Sequence, residues 1–317
     1  MAKVVITGGA GFIGQHCARH LLEQGWDVHI LDLVELEKMQ NLAEHGCTVQ
    51  QGDIRSASDV HFALDGADAV VHLAALISVP QSFNDPEATS QTNVEGTRIL
   101  LKAAQAFGVQ RVIAASSAAI YGESEQLPVT ENNPVQCQSP YAESKFSNEI
   151  DIQQFREQGL NAIALRFFNV YGPNTDTSEG YASVLPIFVD RISKKQPLIV
   201  HGDGLQTRDF VHVADVALAI SNLLDLNETF AHGVVNVATG KAVSLLDVIG
   251  LLNKFNSELD RSSATNPRFE ASRVGDIRHS VGSYDRLHEM CGWEPTVAFE
   301  TGLRDMFDRM IQGVDSG

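Results

Sequence analysis

The sequence predicts an α/β protein, a doubly wound parallel sheet with a smaller α/β C-terminal domain. Apolar, β-branched runs alternate with helix-period segments through the first half, a pattern typical of repeated βαβ units. Runs such as "VVI" and "AVVHLAA" are continuously apolar, as strands buried on both faces of a sheet are. After about Arg166 the segments shorten and are separated by Gly, Pro, Asn and Asp. We therefore expect a first domain over 1–168, joined by part of the later chain, and a second over 169–317.

Each apolar run fits a strand, and the stretches between the runs fit helices. The predicted strands are Lys3 to Thr7, Asp27 to Asp32, Thr48 to Gly52, Ala69 to His72, Arg111 to Ala115 and Asn161 to Arg166. Helices are predicted to start near Gly11, Ser56, Pro86 and Pro140, and the second domain is predicted to contain helices Ala182 to Ser193, Val213 to Leu224, Leu245 to Asn253 and Phe299 to Ile311.

Charge and cysteine content narrow the class of protein. The chain of 317 residues has 23 Lys plus Arg against 40 Asp plus Glu, a formal charge of -17, which disfavours nucleic-acid and acidic membrane partners. Four scattered cysteines without a C-x-x-C pair indicate neither a zinc site nor disulfides. The longest apolar stretch, from Ala67 to Pro80, is interrupted by Asp68 and His72 and is too short to span a bilayer. No signal peptide is indicated, so we expect a soluble, cytoplasmic protein without a metal.

A glycine-rich turn follows the first predicted strand, in "VVITGGAGFIG". Gly8, Gly11 and Gly14 follow the strand and open a helix, with Phe12 and Ile13 between the last two. Such a turn brings the backbone close to a pyrophosphate, and the free N–H groups of the helix start favour an anion. The spacing is G-x-x-G-x-x-G rather than G-x-G-x-x-G, and a plain tight strand-to-helix connection is the alternative. We assign these five residues to a dinucleotide site.

Acidic residues end the second and third predicted strands. Asp32 lies 18 residues after Gly14, where a carboxylate can accept hydrogen bonds from the adenosine ribose, and no Arg or Lys beside it could hold a 2′-phosphate. This favours NAD over NADP, a solvated strand end being the alternative. In "GDI", Asp53 could meet the adenine amino group and Ile54 could pack on the ring, or the motif could be a simple turn.

The fourth predicted strand ends in "HLAAL". Leu73, Ala74 and Ala75 are small or apolar enough for a backbone that passes beneath a cofactor. His72 is better explained as a hydrogen-bonded core histidine than as a catalytic group.

Tyr141 and Lys145 are the first candidates for chemistry. They are four residues apart in "SPYAESK" and therefore share one helix face, which Pro140 would start. A nearby ammonium stabilises a phenolate and should lower the tyrosine pKa. Ser116 and Ser117 end the fifth strand in "AASSAAIYG", where the carboxyl ends of parallel strands form a ligand crevice. Alone, a Y-x-x-x-K pair could be a solvated helix face and the serines simple turn formers; together with the glycine turn they predict one active site.

The motifs together resemble the extended short-chain dehydrogenase/reductases, and within them the NAD-dependent nucleotide-sugar epimerases and dehydratases. The similarity is greatest to UDP-glucose and UDP-N-acetylglucosamine 4-epimerases. It extends over nearly the whole chain, through "TGGAGFIG", "GDI", "HLAA", "TNVEGT", "SSAAIYG", "SPYAESK", "LRFFNVYGP", "GDGLQTRDFVHVADVA" and "RVGDIRHS". The resemblance implies a Rossmann-like NAD domain, a smaller domain for a nucleoside diphosphate sugar, and a homodimer. Stretches 94–107 and 141–155 could form its interface or pack within one subunit.

The resemblance also implies residue roles. Tyr141 is the base, Lys145 its partner and a ligand of the nicotinamide ribose, and Ser117 the third catalytic residue. Residues near the nicotinamide are Asn93 and Phe168, and residues at the substrate are Asn169, Arg208, Arg273 and Asp276. The arginines supply local positive charge against a pyrophosphate, although each alone could be a surface salt-bridge residue.

Two departures from the family pattern narrow the expected activity. Dehydratases of this family have an acidic residue just after the Ser or Thr, whereas Ala118 and Ala119 follow Ser117 here. Ser280 matches a position that bounds the pocket beside the C2 substituent of the sugar, where a small residue leaves room for an N-acetyl group. We therefore expect a UDP-hexose 4-epimerase that works through a 4-keto sugar, retains its NAD and also accepts UDP-N-acetylhexosamines. The alternatives are another nucleotide-sugar dehydrogenase or reductase and a catalytically silent NAD-binding protein.

Overall fold

The computed structural model describes residues 1–174, 184–259, 266–272 and 277–315. Its strands are β1 (Lys3–Thr7), β2 (Asp27–Asp32), β3 (Thr48–Gln51), β4 (Ala69–His72), β5 (Arg111–Ser117), β6 (Ala162–Phe167), β7 (Asn169–Tyr171), β8 (Ile199–His201), β9 (Thr207–Arg208), β10 (Phe210–His212), β11 (Val234–Val237), β12 (Val243–Ser244), β13 (Arg268–Glu270) and β14 (His279–Ser280).

The helices lie between these strands. They are α1 (Phe12–Glu23), α2 (Gln40–Glu44), α3 (Ala57–Leu64), α4 (Val79–Asn84), α5 (Pro86–Ser90), α6 (Gly96–Ala106), α7 (Pro140–Glu157), α8 (Val184–Ser193), α9 (Val213–Leu224), α10 (Leu245–Glu258), α11 (Asp285–Cys291) and α12 (Phe299–Asp315). Leu36–Met39 and Ala118–Tyr121 form 3₁₀ turns, and Gln91–Glu95 forms a π-helical turn between α5 and α6.

A seven-stranded parallel sheet forms the centre of the fold. Its strand order is β11-β6-β5-β4-β1-β2-β3, so β1 lies between β2 and β4 and the strand order reverses there. In such a sheet the crevice outside the carboxyl ends of the strands at the reversal is the usual place for a ligand. The predicted doubly wound, Rossmann-like sheet is confirmed, and the reversal point indicates where its site should be.

Alternation along β1 explains why both faces of the sheet are covered. Val4 and Ile6 are buried in a cluster with Leu21 of α1 and Ile220 of α9. Val5, between them, is buried on the other face in a cluster that contains residues of α3 and α6. Because successive side chains of a strand point to opposite faces, a strand that is apolar throughout must have helices on both sides.

The later part of the chain has a core of its own and also contributes to the main sheet. Helices α8, α10 and α12 pack with β8 and β10 around buried Phe188, Leu252 and Phe307. In contrast, β11 pairs in parallel with β6, and α9 packs on α1. The predicted division into 1–168 and 169–317, with part of the later chain joining the first domain, stays a prediction.

Several predicted bounds are wrong by a few residues. Strand β5 continues to Ser117 because Ala115, Ser116 and Ser117 still pair with β6, which itself runs one residue later than predicted. Strand β3 ends one residue early, before Gly52. Helices α10 and α12 run beyond the predicted ends, and helices α2, α4 and α11 were not predicted. The first two residues of the helix predicted from Ala182 lie outside the described residues, and the rest forms α8.

Among the residues that the structure describes, no helix is long and apolar enough to cross a membrane. The four cysteines are free thiols.

Candidate active site

A cavity of about 590 Å³ opens at the carboxyl ends of the central strands. Most of the predicted cofactor residues and all three predicted catalytic residues line it. Those lining residues are Gly8, Gly11, Phe12, Ile13, Gly14, Asp32, Ile54, Leu73, Ala74, Ala75, Ser116, Ser117, Tyr141, Lys145 and Phe168. The cavity is therefore where the sequence predictions for a dinucleotide and for a catalytic group meet.

The glycine turn fits a backbone that must pass close to its neighbours. Gly8 has φ +69, and a Cβ there would lie 2.7 Å from the backbone nitrogen of Ala74. A Cβ on Gly14 would lie 2.4 Å from the Gly8 carbonyl oxygen. Side chains at these positions would force β1, α1 and the end of β4 apart, so the turn keeps its shape only with glycine.

The start of α1 is open toward this cavity. Its N-cap is Gly11, which gives no side-chain hydrogen bond to the first turn. By contrast, Ser56, Ser139 and Ser244 cap α3, α7 and α10 through their hydroxyls. The uncapped N–H groups and the helix dipole of α1 suit an anion, as the pyrophosphate of a dinucleotide requires.

Asp32 ends β2 at the rim of the same cavity. Its carboxylate accepts hydrogen bonds from the backbone N–H groups of Ala10 at 2.9 Å and of Val34 at 3.2 Å. These bonds hold the carboxylate beside the glycine turn, and the next two residues, Leu33 and Val34, are apolar lining residues. The position fits a carboxylate that binds ribose hydroxyls without a nearby cation for an additional phosphate.

Asp53 behaves differently from its neighbour Ile54. Gly52 and Ile54 line the cavity, whereas Asp53 is not among the lining residues. Its carboxylate accepts from the guanidinium of Arg55 at 2.6 Å, and this hydrogen bond lowers the Asp53 pKa. The predicted contact of Asp53 with adenine stays a prediction, in which its carboxylate would accept from the adenine amino group in addition to Arg55, while Ile54 already lines the cavity.

His72 is a core residue, as predicted. Its ring is 4% exposed and is hydrogen-bonded to Thr7 at 2.7 Å and to Thr97 at 2.9 Å. Burial lowers its pKa to about 3, with a smaller contribution from the Lys145 charge. It therefore stays neutral and links β1, β4 and α6 beneath the cavity.

Asn93 lies in the π-helical turn and does not line the cavity. Its amide accepts from the Leu76 N–H at 2.8 Å and donates to the Leu76 carbonyl and to Ser144 at 3.0 Å each. It thus ties the loop after β4 to α7. The preceding residue, Thr92, lines the cavity instead and was missed, although π-helical turns often occur at functional sites.

Tyr141, Lys145 and Ser117 meet at the cavity. Ser139 caps α7 by accepting from the Ala142 N–H at 3.1 Å, so the tyrosine lies in the first turn and the lysine one turn later. The Lys145 ammonium donates to the Ala115 carbonyl at 3.0 Å and lies 5.9 Å from the centre of the Tyr141 ring. Ser117, at the end of β5, lines the same cavity. The predicted triad is thus brought together by one helix and one strand end.

The electrostatics of the triad correct one expectation. Burial raises the Tyr141 pKa above its usual value, and the nearby Ser117 hydroxyl opposes this rise. The expected lowering by Lys145 is wrong because burial has the larger effect in the protein alone. Burial also lowers the Lys145 pKa to about 8. Both groups are thus displaced toward their neutral forms, which is common for groups that exchange protons.

The predicted substrate residues are only partly described. Phe168 lines the cavity together with Phe167 and Val170, which the sequence analysis missed. Asn169 starts β7, and Arg208 and Ser280 are paired in register between β9 and β14. None of these last three is a lining residue of the cavity. Arg273 and Asp276 lie outside the described residues.

Known proteins give independent comparisons. Residues 4–238 match the model of the NAD dependent epimerase/dehydratase family. A UDP-glucose 4-epimerase of Halalkalibacterium halodurans is 32% identical over 92% of this chain and 90% of its own length. A UDP-N-acetylglucosamine 4-epimerase of Methanobrevibacter ruminantium, solved in complex with UDP-N-acetylmuramic acid, is similar in structure with a TM-score of 0.91, 33% identity, and coverage of 98% of this chain and 99% of that one. A Thermus thermophilus UDP-glucose 4-epimerase in complex with NAD has a TM-score of 0.85 at 33% identity, over 98% and 99% of the two chains.

Proposed function

This chain belongs to the NAD-dependent epimerase/dehydratase family, and on that premise we propose that it is a UDP-hexose 4-epimerase. NAD is therefore its cofactor, as predicted. The single observation that carries the proposal is that Ser117, Tyr141 and Lys145 meet at the cavity, while no acidic side chain follows the serine. The substrates we propose are UDP-glucose and UDP-galactose, together with UDP-GlcNAc and UDP-GalNAc.

Tyr141, Ser117 and Lys145 have different roles in the proposed reaction. When bound, oxidised NAD supplies a hydride acceptor for C4′ of the sugar and a positive charge beside the phenol. Tyr141 would take the proton of the 4′-hydroxyl and return it, which is general base and then general acid catalysis. Ser117, which lines the same cavity, would bridge the phenol to the sugar hydroxyl. Lys145 would bind the nicotinamide ribose.

Two alanines after Ser117 favour an epimerase over a dehydratase. Ala118 and Ala119 start the 3₁₀ turn after β5, and the Ala119 N–H donates to the Ser117 hydroxyl at 3.2 Å. Neither alanine carries the acid that elimination of water from a 4-keto sugar needs. Epimerisation needs no such acid, and its net redox change is zero, so we propose that NAD stays bound through turnover.

Ser280 supports the wider sugar range. It lies in β14, paired with Arg208 of β9, and its side chain is small. We propose that it borders the C2 substituent of the sugar and that Asn169, Arg208, Arg273 and Asp276 hold the nucleotide part. The structural similarity to a UDP-N-acetylglucosamine 4-epimerase supports the same range.

The remaining predictions stay proposals. Helices α5, α6 and α7 pack on one another within one subunit, so their use in a homodimer is a prediction. A cytoplasmic location is likewise proposed.

The test is to incubate the purified protein with each UDP-sugar separately, without added NAD, and to resolve the products by anion-exchange chromatography. We expect interconversion of both epimer pairs.

A Ser280→Tyr variant should keep the plain hexose activity and lose the N-acetylhexosamine activity. Failure of UDP-GlcNAc alone would contradict the wider range. If nothing turned over even after NAD was added, the UDP-sugar assignment would be wrong, and stoichiometric consumption of free cofactor would indicate a dehydrogenase or reductase.

A further inference from the structure

A buried polar cluster lies directly behind the triad. It consists of Ser116 at the end of β5, Glu149 of α7 and Arg166 of β6, which are 3%, 9% and 4% exposed. The Ser116 hydroxyl donates to the Glu149 carboxylate at 2.5 Å, and Arg166 donates to both oxygens of the same carboxylate at 2.9 and 2.8 Å. None of the three has a role in the chemistry of the sugar proposed above.

The cluster joins three elements at one point. Ser116 and Arg166 are register partners of neighbouring strands, and Glu149 reaches both of them from the helix above. Glu149 is one turn beyond Lys145 and two turns beyond Tyr141 on the same helix. The carboxylate therefore ties the helix that carries the tyrosine and lysine to the strand that carries Ser117.

A second bond between the same elements lies one turn nearer the cavity. Lys145 donates to the Ala115 carbonyl at 3.0 Å, so successive residues of β5, Ala115 and Ser116, are both bonded to α7. Ser117 is the next residue of β5 and lines the cavity, as Tyr141 does. Two bonds fix the helix against the strand more firmly than one, because a single bond leaves the helix free to pivot about it.

Arg166 holds the carboxylate from the opposite side and is itself fully engaged. Its third nitrogen donates to the Tyr121 hydroxyl at 2.7 Å, and its guanidinium lies 4.8 Å from the centre of that ring. Tyr121 in turn donates to Asn236 of β11 at 2.7 Å. Burial disfavours the guanidinium charge, but pairing with Glu149 outweighs burial, and the Arg166 pKa lies above its usual value.

We propose that Glu149, held by Arg166, is a positioning residue that fixes Ser116 and thereby holds Ser117, the next residue of β5, in place beside Tyr141 of α7. A buried ion pair adds little net stability compared with apolar residues of the same volume, so stability alone gives little reason for it here. The proposal rests on the proposed function for its catalytic consequence but not for its geometry.

The test uses Ser116→Ala, which removes one hydroxyl and leaves the ion pair intact. Ser116→Thr keeps the hydroxyl and is the rescuing variant. Asp151→Asn is the matched control, because Asp151 lies on the same helix and pairs with the more exposed Arg98 at 2.8 Å, away from the cavity. We expect Ser116→Ala to lower kcat about tenfold with little change in KM, and Thr to restore most of it.

A second readout needs neither cofactor nor sugar. The ultraviolet titration of the tyrosines, taken as the difference between each variant and the same variant with Tyr141→Phe, isolates the Tyr141 phenol. Because the nearby Ser117 hydroxyl lowers the Tyr141 pKa, displacement of Ser117 in Ser116→Ala should shift this titration to higher pH. The neighbouring titratable groups, Lys145 of α7 and the neutral His72 of β4, are unchanged in the variant.

Each outcome is decisive. A Ser116→Ala protein with the kcat and phenol titration of the wild type would overturn the proposal, even if its thermal stability fell. A similar loss in Asp151→Asn would also overturn it, because the effect would then not be specific to this cluster. If the wild type epimerises no sugar, the proposed function fails, while the phenol titration still tests the positioning role.

Discussion

Two successive parts of α7 treat buried charge in opposite ways. Lys145, in the part that faces the cavity, donates to a backbone carbonyl, and no carboxylate in the described ranges forms an ion pair with it. Glu149, one turn later, accepts from Ser116 and from two nitrogens of Arg166. Around Lys145 the pKa values are shifted from their usual values, which suits groups that exchange protons. Around Glu149 the buried charge is neutralised by an ion pair and hydrogen bonds, which suits a site whose geometry must stay fixed.

The largest expected effect comes from removing the proton carrier of the first part. Tyr141→Phe should lower turnover about 10²- to 10⁴-fold, because it removes the phenol that we propose takes the 4′-hydroxyl proton. Bound NAD, measured after denaturation, should be unchanged. Tyr284→Phe is a matched control, since Tyr284 packs on Trp293 outside the cavity. Turnover close to that of the wild type would contradict the role of Tyr141.

Breaking the compensated part should cost stability instead. Arg166→Met leaves the Glu149 carboxylate buried without its partner, and we expect unfolding free energy to fall by about 3 to 5 kcal/mol. Denaturant titration measures this loss. The double variant Glu149→Leu, Arg166→Met should recover most of it, because both charges are then gone. An Arg166→Met variant as stable as the wild type would show that the Glu149 carboxylate is not shielded from water.

Removing the uncompensated charge should have the opposite sign. Lys145→Met should raise the unfolding free energy by roughly 1 to 2 kcal/mol at neutral pH, while turnover falls. The Lys145 pKa is about 8 in the folded protein and 10.5 as its ordinary value, so the unfolded chain binds more protons between these values. The free energy of unfolding of the wild type therefore rises with pH across this window. The amount by which the variant exceeds the wild type is largest below pH 8 and disappears toward pH 10.5. Denaturant titrations of both proteins across this range measure the difference; an advantage that is constant with pH would contradict the assignment.

The smallest expected effect concerns the start of the helix. Ser139→Ala removes the cap of α7 and should lower the unfolding free energy by about 1 kcal/mol, whereas Ser139→Asp keeps an acceptor and should lose little. Thermal unfolding of the three proteins makes the comparison. Equal stability of the alanine variant would indicate that packing alone holds the first turn.

The sequence predicts the parts of the site that local spacing determines. Tyr141 and Lys145 share a face because they are four residues apart, and Ser117 joins them because strand β5 ends there. The glycine turn and Asp32 were found in the same way, from their places at strand ends. Such features need only the register of one helix or the end of one strand.

Features that no short motif encodes were not predicted. Glu149 meets Ser116 and Arg166 through the pairing of β5 with β6, which no short motif encodes. Asp53 was assigned to the cofactor, and the bond of its carboxylate to Arg55, two residues later, was not predicted. Sequence spacing alone does not distinguish such a bond from a contact with a ligand. Thr92 enters the cavity because of a π-helical turn, whose presence was not evident from its sequence.

Some missed elements did have a signal. Helix α4 is capped by Ser78 and has Pro80 in its first turn. Both residues are sequence signals for the start of a helix. Helix α11 has no side-chain cap at Tyr284, but the Ser283 hydroxyl just before it accepts from the Asp285 N–H at 3.2 Å.

The pairing of β11 with β6 has a consequence for how the chain is made. Until residues 234–237 leave the ribosome, β6 is an open edge whose residues are all buried in the finished sheet. Such an apolar edge is a template for pairing with other chains. A fragment that ends at residue 168 should therefore aggregate, and the nascent protein must shield this edge until about seventy further residues have been synthesised.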